Sequence, residues 1–189
     1  MIPDWNINAV LPPVRPGALG HDPDRSPYVA NMAEVVERFA TTAARITILR
    51  GLLRYRAEFG LRNVQNGFQW LNGSFMEQKE TLESAAPNDV DVVTFFRLPS
   101  GIDEQTFLQN NLDIFDPEAA KAEFRVDAYP YVLGGVLTAW DVRQISYWYS
   151  MWSHRRTGVW KGFLQVDLSD DDDLALALLN DIELGGVHP

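Results

Sequence analysis

Residues 89–96, DVDVVTFF, place two carboxylates at the start of a segment whose other residues are all β-branched or aromatic. This composition predicts a β-strand whose valines and phenylalanines lie in the core. Because strand side chains alternate between two faces, Asp89 and Asp91 point the same way, with Cα atoms about 6.5 Å apart. Two carboxylates at such a short distance repel each other unless a cation lies between them or one of them is protonated. Taken alone, such a pair is more often a solvent-facing motif at a strand edge.

The rest of the chain alternates helical and strand-forming segments. Apolar residues three and four positions apart predict one long amphipathic helix over residues 31–59, capped by Asn31, with a possible bend at Gly51. Further strands are predicted over residues 67–71, 124–131 and 160–168, and further helices over residues 74–79, 103–113, 116–123, 138–153 and 174–179. This order predicts an α/β (α+β) fold with a small mixed sheet flanked by helices.

Gly73 and Ser74 follow one predicted strand and open a predicted short helix. Glycine lets a ligand approach the backbone closely, and a helix N-terminus offers N–H groups to phosphate oxygens. A plain turn with a serine N-cap is the alternative for this motif alone. Combined with Asp89 and Asp91, the motif predicts a site for phosphoryl transfer, in which the turn grips phosphates and the acids hold Mg²⁺ or Mn²⁺.

Three further residues are candidates for the same site. Asp127 lies in a strand that we expect beside residues 89–96, so it is the candidate third acid; a salt bridge with Arg125 is the alternative. Lys79, near the Gly-Ser turn, and Lys161, in the last predicted strand, could each reach a phosphate. An exposed edge lysine is the commoner role for Lys161.

The predicted helix over residues 138–153 is rich in aromatic side chains. Trp140, Tyr147 and Met151 lie near one stripe of that helix, which predicts that they pack in the core. A base-stacking surface and an interface with a partner are the alternatives.

Composition limits the classes of function. A formal net charge of −10 over 189 residues argues against general DNA binding, which needs clustered lysine and arginine. It does not exclude a nucleoside triphosphate, since a metal ion can bridge phosphates and carboxylates. The absence of cysteine excludes disulfides and thiolate nucleophiles. No apolar run approaches the ~18 residues of a membrane span, so we expect a cytoplasmic protein with no membrane association.

Three regions follow from these patterns. Residues 1–30 contain six prolines and predict an extended arm, residues 31–168 predict the catalytic-type domain, and residues 169–189 predict an acidic C-terminal tail.

The run LNGSFMEQKETLESAAPNDVDVV resembles the signature of the polymerase-beta-like nucleotidyltransferase superfamily. In that signature, Gly-Ser after a strand is followed by Asp-x-Asp and by a third acid on a later strand. More closely, GSF…PNDVDVV, the later VD and the KG of residues 161–162 resemble a family of small bacterial and phage proteins. That family is described as a domain of unknown function with nucleotidyltransferase resemblance. The resemblance covers residues 30–168.

The resemblance implies a minimal nucleotidyltransferase fold. Gly73 and Ser74 would contact a nucleoside triphosphate such as ATP, Asp89 and Asp91 would hold the metal, and Asp127 would be the third acid. The implied activity is transfer of NMP from an NTP to a hydroxyl of a protein, RNA or small-molecule acceptor. The alternative is a catalytically silent module that binds a protein partner in a toxin–antitoxin or phage-defence pair. Neither the acceptor nor the oligomeric state follows from the sequence.

Overall fold

Five strands form one mixed sheet in this computed structural model, which describes residues 1–185. The strands are β1 (Tyr28–Val29), β2 (Gly67–Asn72), β3 (Val90–Phe96), β4 (Val126–Val132) and β5 (Leu164–Asp167). Their order is β1-β5-β2-β3-β4, so the last strand of the chain lies between the first two. Strand β2 is antiparallel to both of its neighbours, whereas the β1–β5 and β3–β4 pairs are parallel. The predicted α/β (α+β) class with a small mixed sheet is confirmed.

Helices cover both faces of this sheet. They are α1 (Met32–Phe39), α2 (Ala43–Leu61), α3 (Lys79–Glu83), α4 (Glu104–Asn110), α5 (Leu112–Phe115), α6 (Pro117–Phe124), α7 (Ala139–Trp152) and α8 (Asp173–Gly185). The prediction of one continuous helix over residues 31–59 is wrong. Asn31 does begin α1 with a capping box, but the chain breaks after Phe39, and the Thr42 side chain accepts a hydrogen bond from the Arg45 N–H to start α2.

One face of the sheet builds the main apolar core. Side chains of β2, β3, β4 and β5 form a buried cluster there with residues of α1, α2, α6 and α8. Gly51 belongs to this packing, because a Cβ at its position would lie 2.0 Å from the carbonyl oxygen of Phe124 in α6. Helix α2 continues through Gly51, where the glycine permits a close helix contact.

The opposite face carries an aromatic layer. Trp70, Phe95 and Phe163 are buried there with Trp152 from the end of α7. The sequence predicts the whole aromatic stripe of this helix in the core, and that prediction is wrong. Trp152 is the buried residue of α7, whereas Trp140 is 61% exposed and Tyr147 is 53% exposed, because only the inner side of the helix meets the sheet.

Both ends of the described chain pack onto the domain. In the proline-rich segment, Val10 and Leu11 are fully buried, and the Leu11 carbonyl accepts a hydrogen bond of 2.7 Å from the Gly162 N–H. At the other end, α8 packs against α1 with Ala175 and Leu179 buried. The predicted tail over 169–189 is therefore mostly helical as far as residue 185, and residues 186–189 lie outside the described part. Within that part, no helix has the length and apolar character needed to cross a bilayer.

Candidate active site

A cleft of about 850 Å³ opens at the edge of the sheet where β2 ends and where β3 and β4 begin. It brings together every site residue that the sequence predicts. These lining residues are Gly73, Ser74, Lys79, Asp89, Asp91, Asp127 and Lys161. The sheet edge, the turn after β2 and the segment between α7 and β5 thus supply three sides of one site.

The acids and Asn72 form a row across three strands. Asn72 of β2 pairs in register with Asp91 of β3, and Asp91 pairs with Asp127 of β4. Register partners project from the same face of a sheet, so these three side chains are neighbours. The Tyr129 hydroxyl donates a hydrogen bond of 3.0 Å to Oδ2 of Asp127. Asn72 is a residue of the cleft that the sequence motif does not single out.

The electrostatics of the acids differ from one to the next. Burial, together with the neighbouring carboxylates of Asp127 and Asp89, raises the pKa of Asp91 to about 6. Asp89 precedes β3 and is held by Lys121 of α6, whose Nζ lies 2.6 Å from its Oδ2. The acids therefore lie close enough to repel one another, and Lys121 is a further partner that the sequence does not reveal.

The turn after β2 differs from the prediction. A short helix does begin at Ser74, but it is a 3-10 helix that ends at Met76, and α3 begins separately at Lys79. Gly73 has a φ of 81°, in the left-handed region that favours glycine. A Cβ built on Gly73 would lie 2.9 Å from Cγ of Asp91. The Gly-Ser turn and the central acid are therefore in direct contact.

This contact predicts the effect of Gly73→Ala. The methyl group would collide with the Asp91 carboxylate as well as straining the backbone, so we expect a loss of about 1–3 kcal/mol in the free energy of unfolding. Gly101→Ala is a matched control, since Gly101 has a φ of +83° but nothing within 4 Å of its Cβ position. Urea unfolding of both variants measures the difference. Equal losses in the two variants would contradict a steric role for Gly73.

A pair of cations faces the acids across the turn, and Glu77 holds both. Lys161 is only 6% exposed; its Nζ donates to Oε1 of Glu77 at 2.8 Å and to the Gly73 carbonyl at 3.2 Å. Nε of Arg155 lies 3.0 Å from Oε2 of Glu77. Lys161 is thus a buried residue of the site and not the exposed edge lysine of the alternative interpretation. Lys79 also lines the cleft, and its Nζ lies 3.9 Å from Oε2 of Glu83.

Comparison with known proteins adds a family. Residues 3–167 match the model of a family of unknown function (DUF6932). The chain belongs to this family. The matched residues include the whole sheet and all seven predicted site residues, whereas α8 lies outside them. Searches of curated proteins and of solved structures gave no significant match. The family description names no activity, so the resemblance to nucleotidyltransferases stays a prediction for this DUF6932 member.

Behind the cleft of this DUF6932 member, Arg45 fixes the segment that follows the Gly-Ser turn. Arg45 lies in the first turn of α2 and is fully buried. Its guanidinium donates to the carbonyls of Phe75 and Glu77 at 2.7 and 2.5 Å, and Nε donates to Oε1 of Glu80 at 2.7 Å. The backbone that carries Glu77, and through it Lys161, is therefore held from the core side.

The oxygen donors of the cleft bear on whether it could hold a divalent cation. Among residues 1–185, no three His, Cys, Asp or Glu side chains form a ready metal cage. Two carboxylates, Asp91 and Asp127, are nevertheless adjacent in register, and Oδ1 of Asn72 is buried without a hydrogen-bond partner. Side-chain oxygens of this kind suit Mg²⁺ and Mn²⁺. The donors therefore fit a hard cation in their chemistry, with Asp89 engaged by Lys121.

Proposed function

We propose that this chain is a metal-dependent nucleotidyltransferase that moves NMP from an NTP to a hydroxyl of a protein, RNA or small-molecule acceptor. The observation that carries the proposal is the contact between the turn and the acids. Gly73 approaches Asp91 so closely that no side chain fits between them, and Asp91 and Asp127 lie side by side in the same cleft. A turn that holds phosphates beside carboxylates that hold a metal would supply the positioning and charge neutralisation on which phosphoryl transfer depends.

In the proposed reaction, the oxygen of the acceptor hydroxyl attacks the α-phosphorus of the NTP. The bond from that phosphorus to the bridging oxygen breaks, and pyrophosphate leaves with the electron pair. Asp127 is the candidate to take the hydroxyl proton, since its carboxylate borders the cleft and Tyr129 orients it. A bound Mg²⁺ or Mn²⁺ would neutralise the phosphate oxygens. Asp91 and Asp127 would hold it, joined by Asp89 if Lys121 releases that carboxylate.

The opposite wall would hold the pyrophosphate half of the NTP. Ser74 offers a hydroxyl, and Lys161 and Arg155 offer cationic donors whose positions Glu77 fixes. Preorganised cations of this kind stabilise the charge that moves onto the leaving group. Glu77 is in this sense a positioning residue, because it acts on the substrate through Lys161 and Arg155.

The chemical class of the acceptor is a further part of the proposal. The net charge of −10 makes a long nucleic-acid track unfavourable, which favours a protein or small-molecule acceptor over processive RNA synthesis. The cytoplasmic location and the absence of general DNA binding expected from the sequence are part of the same proposal.

The test uses ATP labelled on either the α- or the γ-phosphate, with Mg²⁺ and with or without cell extract. NMP transfer carries the α-label to the acceptor and leaves the γ-label in pyrophosphate. We expect Asp91→Asn and Asp127→Asn to lower transfer at least a hundredfold. Asp181→Asn on α8, an exposed acid away from the cleft, is the matched control and should leave transfer unchanged. Transfer of the γ-label alone, or equal activity in all variants, would exclude the proposal.

A catalytically silent binding module is the second candidate, and the exposed part of α7 favours it. Trp140 and Tyr147 of α7, and Leu137 just before the helix, are all more than half exposed, and large aromatic side chains are enriched at interfaces. In that case the chain would bind a protein partner, as in a toxin–antitoxin or phage-defence pair. Calorimetry with ATP and Mg²⁺ separates the two candidates, since the module predicts no heat of nucleotide binding.

A further inference from the structure

Asn72, the last residue of β2, has an unusual amide. It is 1% exposed and lines the cleft. Its Nδ2 donates a hydrogen bond of 3.0 Å to the carbonyl of Trp152, whereas its Oδ1 is buried and accepts none. The amide cannot be turned over, because Oδ1 would then face the Trp152 carbonyl, which is also an acceptor. The unpaired atom is therefore the oxygen.

A buried acceptor without a partner costs about 1–3 kcal/mol, and native proteins rarely keep one without a reason. The neighbours of Asn72 along the row are Asp91 and Asp127, which are acceptors as well when ionised. A hydroxyl has one proton to donate and a water molecule has two, so neither can satisfy all three groups. A divalent cation can bind an oxygen from each of them at once.

We propose that Oδ1 of Asn72 is a direct ligand of the divalent cation that Asp91 and Asp127 hold. This inference rests on the proposed metal-dependent function and adds a ligand that the Gly-Ser and Asp-x-Asp motif does not contain. Mg²⁺ and Mn²⁺ accept amide oxygens as well as carboxylates. With Asp89 paired to Lys121, two carboxylates balance the two charges of the ion, and the neutral amide completes the set without adding charge.

The test measures metal binding by the full chain without nucleotide or acceptor. Mn²⁺ titrations followed by electron paramagnetic resonance compare the wild type with Asn72→Leu and Asn72→Asp. Leucine matches asparagine in shape but has no oxygen, so we expect Mn²⁺ affinity to fall about tenfold or more. Aspartate keeps an oxygen and loses the amide donor, so affinity should stay equal or rise. If both variants weaken binding alike, Asn72 acts through its bond to Trp152 and the inference is wrong.

A second readout counts the ligands of the ion. Luminescence lifetimes of bound Eu³⁺ in H₂O and D₂O give the number of coordinated waters, and Asn72→Leu should add about one water where the amide oxygen was. Unchanged Mn²⁺ affinity and an unchanged water number in Asn72→Leu would overturn this inference and leave the proposed function standing. If the wild type binds no Mn²⁺, or Asp91→Asn binds it as tightly as the wild type, the metal-dependent function itself fails.

Discussion

Asp91→Asn is expected to stabilise the folded protein at pH 7 in the absence of divalent metal, by about 2–3 kcal/mol, while it removes nucleotide transfer. In the wild type, burial and the neighbouring acids raise the pKa of this carboxyl from 3.8 to about 6. The folded state therefore binds the proton more tightly than the unfolded state does. The stability that this proton provides is fully present below pH 3.8 and is lost as the pH rises through 6.

Asparagine at this position carries no charge at any pH, so its advantage should be small near pH 4 and largest at pH 7. Urea unfolding of the two proteins at both pH values, with EDTA present, measures this difference. Asp181→Asn, which removes an exposed acid on α8, should show no such pH-dependent gain. A variant at position 91 that is less stable than the wild type at pH 7 would mean that the carboxylate holds the fold together. In that case the Asp91 carboxylate would be a structural group and not a destabilising charge that serves ligand binding.

Arg45→Met is expected to lower the free energy of unfolding by about 3–5 kcal/mol. The change keeps much of the side-chain volume but leaves the carbonyls of Phe75 and Glu77 buried without their donors, and it leaves Glu80 without its partner. Because the same guanidinium fixes the segment after the Gly-Ser turn, Mn²⁺ binding should weaken as well. Urea unfolding and Mn²⁺ titration measure the two effects.

Arg54→Met provides the matched control on the same helix. Arg54 pairs with Glu123 at the surface, and both side chains are more than half exposed. Exposed ion pairs contribute about 0–1 kcal/mol, so this variant should lose little stability and no metal affinity. Similar losses in the free energy of unfolding for the two variants would show that the buried contacts of Arg45 contribute no more than an exposed ion pair.

The strand rules predict much of the site. Alternation predicts that Asp89, just before β3, and Asp91 point the same way, and the expected pairing with the strand of Asp127 is confirmed by the β3–β4 register. The predicted α/β class is also confirmed. It was predictable because β-branched and aromatic runs alternate with helical segments along the chain. These features depend on residues close together in the sequence, where periodicity and turn preferences apply directly.

The sequence does not identify residues whose contacts join positions far apart along the chain. Arg45 meets the segment at 75–80 across about thirty positions, and Lys121 reaches Asp89 from another helix. No local pattern encodes either contact, although an arginine within an apolar stretch such as ARITIL is a signal of a buried partner. The exposed side of α7 was missed because an aromatic stripe predicts burial but not how wide the covering surface is.

The position of β5 makes completion of the site depend on a strand that is synthesised late. This strand is inserted between β1 and β2, and the Phe163 N–H donates to Oγ of Ser26 across 137 residues. A ribosome-bound chain that ends before residue 161 would expose the edges of both earlier strands and would lack Lys161 opposite the acids. We therefore expect that nascent fragments without β5 do not form the complete cleft.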